Sequence, residues 1–182
     1  MRHLPNIICL ARIALIWPIL AALRGGNYDG AMLLFAVAAI SDALDGYLAK
    51  RFRWTSELGK ALDPLADKLL LVTVFVYSTW LGLVPQWLTA AAVARDVLII
   101  LGALVFRLWF GPLHGRPTWQ SKLNTGLQVT YLFCVMGFRA FGVPTTELLS
   151  ALAVLTLGTT ILSGAVYMVT FTRRALALPA ES

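Results

Sequence analysis

Charge is scarce in this chain. Asp, Glu, Lys and Arg together make up 13% of its 182 residues, against about 25% in an ordinary soluble domain, while 59% are hydrophobic. That balance excludes a soluble globule and points to a membrane protein. Cysteine is scarcer still. Cys9 and Cys134 lie in apolar stretches with neither metal nor disulfide spacing, so both read as small buried hydrophobes. Internal repeats and low-complexity tracts are missing. So is any long polar stretch, which leaves little chain for a separate soluble domain. We therefore expect one membrane domain over residues 1–182.

What is there is a series of apolar runs near the length of roughly 20 residues that a span needs. Six fit: Ile7–Leu23, Ala31–Ala49, Ala61–Leu81, Trp87–Arg107, Leu123–Phe138 and Leu148–Phe171. The sequence thus predicts an all-α integral membrane fold, a bundle of six transmembrane helices. The first run has a basic start at Arg2, but no small-residue cleavage site introduces a mature soluble domain, so it reads as a retained span. Short turns separate the runs: Arg24 to Gly30, Leu81 to Gln86 and Phe141 to Thr146, with a longer Gly- and Pro-broken loop from Phe110 to Pro117. Pro18 falls inside the first run and Pro64 early in the third. Trp54, Trp80, Trp87 and Trp119 fall near run ends, as an interfacial belt would place them.

The charge that exists is mostly basic, with 15 Lys and Arg against nine Asp and Glu. With the N-terminus inside and six spans, the inside segments hold Arg2, Lys50, Arg51, Arg53, Lys60, Arg107, Arg116, Lys122, Arg173 and Arg174. The outside segments hold only Arg24 and Arg139. This bias predicts both termini in the cytoplasm and a basic rim facing anionic headgroups. It also argues against a nucleic-acid partner, because no basic face with interleaved aromatics exists outside the membrane belt.

Four acids break the apolar pattern. They lie in D-A-L-D-G-Y-L-A-K (Asp42 to Lys50) and G-K-A-L-D-P-L-A-D (Gly59 to Asp67). A carboxylate in or beside a membrane span is costly and needs a cation, a proton or water as partner. Asp42, Asp45, Gly46 and Ala49 are offset by three, four and seven, so on a helix they share one face. Gly59, Asp63 and Asp67 recur every four residues on the next. The short basic connection from Lys50 to Leu58 makes the two helices neighbours. Two acids from each form a ready oxygen cage for a divalent metal. The small residues Gly46, Ala49 and Gly59 would let a bulky ligand approach the backbone beside it.

This arrangement resembles the signature of the CDP-alcohol phosphatidyltransferase family, D-x-x-D-G-x-x-A-R, eight residues, G-x-x-x-D-x-x-x-D. Every Asp and Gly is in register from Asp42 to Asp67. One position departs: Lys50 stands where the family has arginine, keeping the charge without the bidentate geometry, and Arg51 follows it. The resemblance implies transfer of a phosphatidyl group from CDP-diacylglycerol to an alcohol, with release of CMP. By the same resemblance Asp42, Asp45, Asp63 and Asp67 hold magnesium or manganese, and Asp67 is also the base that takes the acceptor hydroxyl's proton. Gly46, Ala49, Lys50 and Gly59 would border the nucleotide. So would Asn6 and Arg12, in a segment resembling the family's entry; an ion pair with an acid also accounts for Arg12. The resemblance further implies an active site facing the cytoplasm, a bacterial inner membrane as its setting, and room for a homodimer.

The acceptor rests on shorter segments. Arg95 and Asp96 stand in the fourth run. Adjacent residues point apart on a helix, so a local salt bridge is not expected and one of the two should face the interior. We expect Arg95 to meet the acceptor's phosphate, with Arg116 and Lys122. The run Ser121 to Thr125 with Gln128 resembles the eukaryotic-type cardiolipin synthases of the family. Asn124 stands where related enzymes that use glycerol 3-phosphate carry a lysine. One cation fewer suits a singly charged phosphodiester, hence phosphatidylglycerol, an anionic phospholipid, as acceptor. The alternative is a phosphatidylglycerophosphate synthase using glycerol 3-phosphate. A transporter fits less well, since matched broken helices are missing and the charges cluster at one side.

Overall fold

The structure is a computed structural model that describes the backbone of residues 4–52, 57–110 and 118–177, with side chains for 10–41, 66–105, 108 and 118–173. Among the described residues the chain is all-helical, with six helices: α1 (Leu4–Arg24), α2 (Tyr28–Phe52), α3 (Glu57–Trp80), α4 (Gln86–Phe110), α5 (Trp119–Phe141) and α6 (Thr146–Ala177). Each contains one of the six apolar runs, apart from Leu81 at the end of the third, and most extend beyond the run at both ends. Trp54 lies outside the described residues.

Local chemistry sets the breaks. After α1, Gly26 takes φ of 72°, a left-handed conformation that favours glycine, and Asn27 N–H closes back onto the Ala22 carbonyl at 2.9 Å. Asn27 then caps α2, its Oδ1 accepting from Gly30 N–H at 3.0 Å. The end of α3 repeats the device: Gly82 has φ of 71° and Leu83 N–H reaches the Ser78 carbonyl at 2.9 Å. Thr118 caps α5 through Ser121 N–H at 3.3 Å. Pro64 falls early in α3, as the sequence suggests, but at its eighth position, since the helix begins at Glu57. The missing N–H therefore falls inside the helix, a feature membrane helices tolerate.

The chain divides into two compact units. The first comprises Met1–Pro85 and Leu132–Thr146, the second Gln86–Tyr131 and Glu147–Ser182. In the first, α1 packs along both α2 and α3. Its buried positions follow helical spacing: Ile16, Ile19 and Leu23 on α1, Ala31, Phe35 and Ala38 on α2, and Leu70, Leu71, Val74 and Phe75 on α3.

The second unit inverts the usual pattern. Its buried residues include Thr89, Arg95, Asp96, Asn124, Gln128, Thr156, Thr160 and Ser163. Its exposed ones include Leu98, Ile100, Leu101 and Leu104 on α4 and Val154, Leu155, Ile161 and Leu162 on α6. Apolar outside and polar inside is the arrangement a hydrocarbon solvent favours. Hydroxyls that would otherwise face lipid bond back into their own helix, as Thr170 does to the Val166 carbonyl at 2.7 Å. Among the described residues, Gln86–Val105 and Thr146–Arg173 are long and apolar enough to cross a membrane, while Tyr28–Ser41 is apolar but shorter.

Candidate active site

The two acid-bearing stretches are helical, as their spacing requires. Asp42, Asp45, Gly46, Ala49 and Lys50 fall on α2, and Gly59, Asp63 and Asp67 on α3. Asn6 falls on α1. The side chains of Asn6, Asp42, Asp45, Gly46, Ala49, Lys50, Gly59 and Asp63 lie outside the described residues, as does Arg116 altogether.

Asp67 is described, and it has a cationic partner. The guanidinium of Arg12, on α1, donates from Nη1 to Asp67 Oδ1. Arg12 is buried, with 2% of its side chain exposed, whereas Asp67 keeps 40%. A buried guanidinium has to be paired, and Asp67 supplies the counter-charge. Of the two readings of Arg12, the ion pair is the one the structure displays. The same contact bears on metal chemistry. A part-exposed carboxylate one turn beyond Asp63 on the same helix is of the hard-oxygen type that magnesium or manganese would take.

Arg95, on α4, is the centre of a second cluster, in the second unit. Its Nη1 donates to Asp96 Oδ1 at 2.6 Å, and its Nη2 donates to Ser121 Oγ and Ser163 Oγ, each at 2.6 Å. The guanidinium carbon stands 5.8 Å from the centre of the Tyr167 ring, within cation–π range. The pairing with Asp96 corrects the expectation that adjacent residues would not bridge. Their Cβ bonds do diverge, but the arginine stem is long enough to curl back. Both side chains are buried, so each charge needs the other. Arg95 does turn inward, as expected, and Asp96 turns inward with it.

Lys122 is exposed beside Ser121, so it sits apart from the buried hydrogen bonds of Arg95. Asn124 follows on the same helix. It is fully buried on α5, and its Oδ1 meets the hydroxyls of Thr159 at 3.1 Å and Thr160 at 2.7 Å. It belongs to the contact between α5 and α6. Sequence reasoning missed the α6 contribution. Thr156, Thr160, Ser163 and Tyr167 recur at offsets of four, seven and eleven in a helix otherwise rich in Leu and Val. That polar stripe was the available signal.

Comparison with known proteins places this geometry in a family. The model of the CDP-alcohol phosphatidyltransferase family matches residues 2–171, which takes in both helices of the acid motif and the Arg95 cluster. The chain belongs to the CDP-alcohol phosphatidyltransferase family. Among its phosphatidyltransferase relatives, a cardiolipin synthase (CMP-forming) of Streptomyces coelicolor is 38% identical over 120 residues, covering 63% of this chain and 54% of the relative. The cardiolipin synthase (CMP-forming) of Homo sapiens is 34% identical over 143 residues, 69% of this chain and 47% of its own length. A probable phosphatidylglycerophosphate synthase of Mycobacterium tuberculosis is 31% identical over 181 residues, 96% of this chain and 82% of the relative. The chain thus spans about half the length of the cardiolipin synthases it matches.

Proposed function

We propose that this chain is an integral membrane phospholipid synthase that transfers the phosphatidyl group of CDP-diacylglycerol to phosphatidylglycerol, giving cardiolipin and CMP. The observation that carries the reaction class is the family's acid signature, read in register from Asp42 to Asp67 on two helices. In this reading Asp42, Asp45, Asp63 and Asp67 hold the divalent metal. Bound there, magnesium or manganese would offset the negative charge of the donor's diphosphate. Gly46, Ala49 and Gly59 leave room for the nucleotide, and Lys50 and Asn6 border it. Arg12 orients Asp67.

The transfer is a displacement at the phosphorus that bears the diacylglycerol. The acceptor's hydroxyl oxygen bonds to that phosphorus, the bond to the cytidylate oxygen breaks, and CMP leaves with the electron pair. The hydroxyl proton goes to Asp67, which is part-exposed and so within reach of a substrate.

The acceptor follows from Arg95. Asp96 offsets its charge, Ser121 and Ser163 offer it hydroxyls, and Tyr167 its ring face. A cluster without net charge suits a phosphodiester, with one negative charge, better than the nearly doubly charged phosphate of glycerol 3-phosphate. Lys122 and Arg116 would attract the anionic lipid at the rim. The second reading, a phosphatidylglycerophosphate synthase, is favoured by the length of the match to the Mycobacterium tuberculosis relative.

The same proposal sets the chain in its membrane as one domain, residues 1–182. All six helices span the bilayer, with both termini and the active site on the cytoplasmic side, in a bacterial inner membrane. A homodimer is compatible with it. Incubating purified protein with CDP-diacylglycerol and either phosphatidylglycerol or labelled glycerol 3-phosphate tests the assignment. Cardiolipin and CMP from the first mixture support it, and labelled lipid from the second alone supports the other synthase.

A further inference from the structure

On α5, Ser121, Asn124 and Gln128 are offset by three and seven, so they share one side of the helix. Ser121 accepts from Arg95. Asn124 and Gln128 follow along the axis at about 4.5 Å and about 10.5 Å, given a rise of about 1.5 Å per residue. Both are buried, with 0% and 1% exposure.

Their hydrogen bonding is incomplete. The hydroxyls of Thr159 and Thr160 meet Asn124 and also reach the Thr156 carbonyl, at 3.0 and 2.8 Å. Either way the carboxamide is turned, these hydroxyls serve one end of it and leave the other. The end left over is buried with no partner among the described residues, Nδ2 in the orientation observed. Among the described residues, Gln128 Nε2 is buried without a partner too, and so is Arg95 Nε. A buried polar atom without a bond lowers stability, and a leucine or methionine at 124 or 128 would avoid the loss. Three such atoms, on side chains tied to or following Ser121, are not explained by folding.

We infer that Asn124 and Gln128 are specificity residues for the acceptor, meeting the uncharged oxygens of a glycerol phosphate whose phosphate group lies at Arg95. The inference rests on the phosphatidyl-transfer reading above and adds to it the part of the acceptor that is recognised. Glycerol supplies hydroxyl or ester oxygens next to its phosphate, the neutral partners a carboxamide takes. The two amides follow Ser121 along one side of α5. Phosphatidylglycerol and glycerol 3-phosphate share this chemistry.

The test is Gln128→Met, which keeps the length of the side chain and removes its amide. Apparent KM is measured for phosphatidylglycerol, glycerol 3-phosphate and CDP-diacylglycerol, together with Tm. The expected result is a rise of about tenfold or more in KM for the acceptor that wild type uses, equivalent to about 1.4 kcal/mol. KM for CDP-diacylglycerol should stay unchanged, and Tm should stay unchanged or rise. Asn124→Leu should show the same selective loss of acceptor. The acceptor whose KM moves identifies the source of the glycerol phosphate. An unchanged acceptor KM overturns the inference, as does a fall in Tm with both substrates weakened together, which marks a packing residue. Should Gln128→Met fail to fold, Gln128→Asn keeps the amide but shortens its reach, and the same comparison of KM values decides. Wild-type protein that releases CMP while the variants show no acceptor effect refutes this inference alone. Wild-type protein that releases no CMP with either acceptor refutes the underlying reading as well.

Discussion

Arg12 and Asp67, 55 residues apart in the chain, form an ion pair between α1 and α3 in which the guanidinium is buried and the carboxylate remains part-exposed. The pair joins the first helix to the last acid of the signature. In the proposed mechanism it would orient the carboxylate that takes the proton, 40% of whose side chain is exposed. Replacing Arg12 by Ala should therefore lower turnover by about tenfold or more, since a charge-assisted hydrogen bond contributes about 1.5–3 kcal/mol and about 1.4 kcal/mol is a factor of ten. Arg12→Lys should recover part of it, because the charge returns without the planar geometry. CMP release from CDP-diacylglycerol measures both. Full activity in Arg12→Ala would show that Asp67 needs no such orientation.

The Arg95–Asp96 pair gives a stability prediction. Asp96→Asn strands a buried guanidinium without its counter-charge, a change that costs about 3–5 kcal/mol in comparable buried pairs. Tm should fall clearly. The double substitution Arg95→Met with Asp96→Leu removes both charges and should regain most of that loss, yet acceptor-dependent turnover should stay low. A stable and fully active double variant would remove Arg95 from acceptor binding.

The helices were legible in the sequence because six apolar runs and their Gly- and Asn-marked turns leave the backbone few alternatives. The acid motif was legible for a related reason. Asp42 and Asp45, three apart, share a face on a helix and not on a strand, Asp63 and Asp67 are four apart, and the structure makes both stretches helical. What the sequence hid depends on side-chain reach and on partners distant in the chain. The angle between adjacent Cβ bonds argued against an Arg95–Asp96 pair, but it ignores the length of the arginine stem and the demand of a buried charge for any available partner. Asn124 looked like a missing cation because its threonine partners lie 35 and 36 positions further on. The four-residue spacing of Gly59, Asp63 and Asp67 places the helix ahead of its apolar run, and α3 begins two residues before Gly59, at Glu57.

Metal dependence follows from the four acids. Chelator should abolish CMP release, and added magnesium or manganese should restore it. Asp45→Asn should lower turnover by orders of magnitude while the helical circular dichroism signal remains. Undiminished CMP release in excess chelator would rule out a metal-assisted transfer.

Asp67→Asn separates the base from a simple ligand. If Asp67 takes the acceptor's proton, transfer should be nearly abolished while CDP-diacylglycerol binding weakens much less. Equal losses in donor binding and turnover would assign it to the metal alone.

The most direct measurement supplies wild-type protein with CDP-diacylglycerol, magnesium, phosphatidylglycerol and labelled glycerol 3-phosphate together, and identifies the lipid product. The account predicts cardiolipin with an equal amount of CMP, and no label in the lipid fraction. Labelled phosphatidylglycerophosphate with phosphatidylglycerol left unreacted would contradict it, and would show that the neutralised Arg95 cluster accepts the more highly charged phosphate after all.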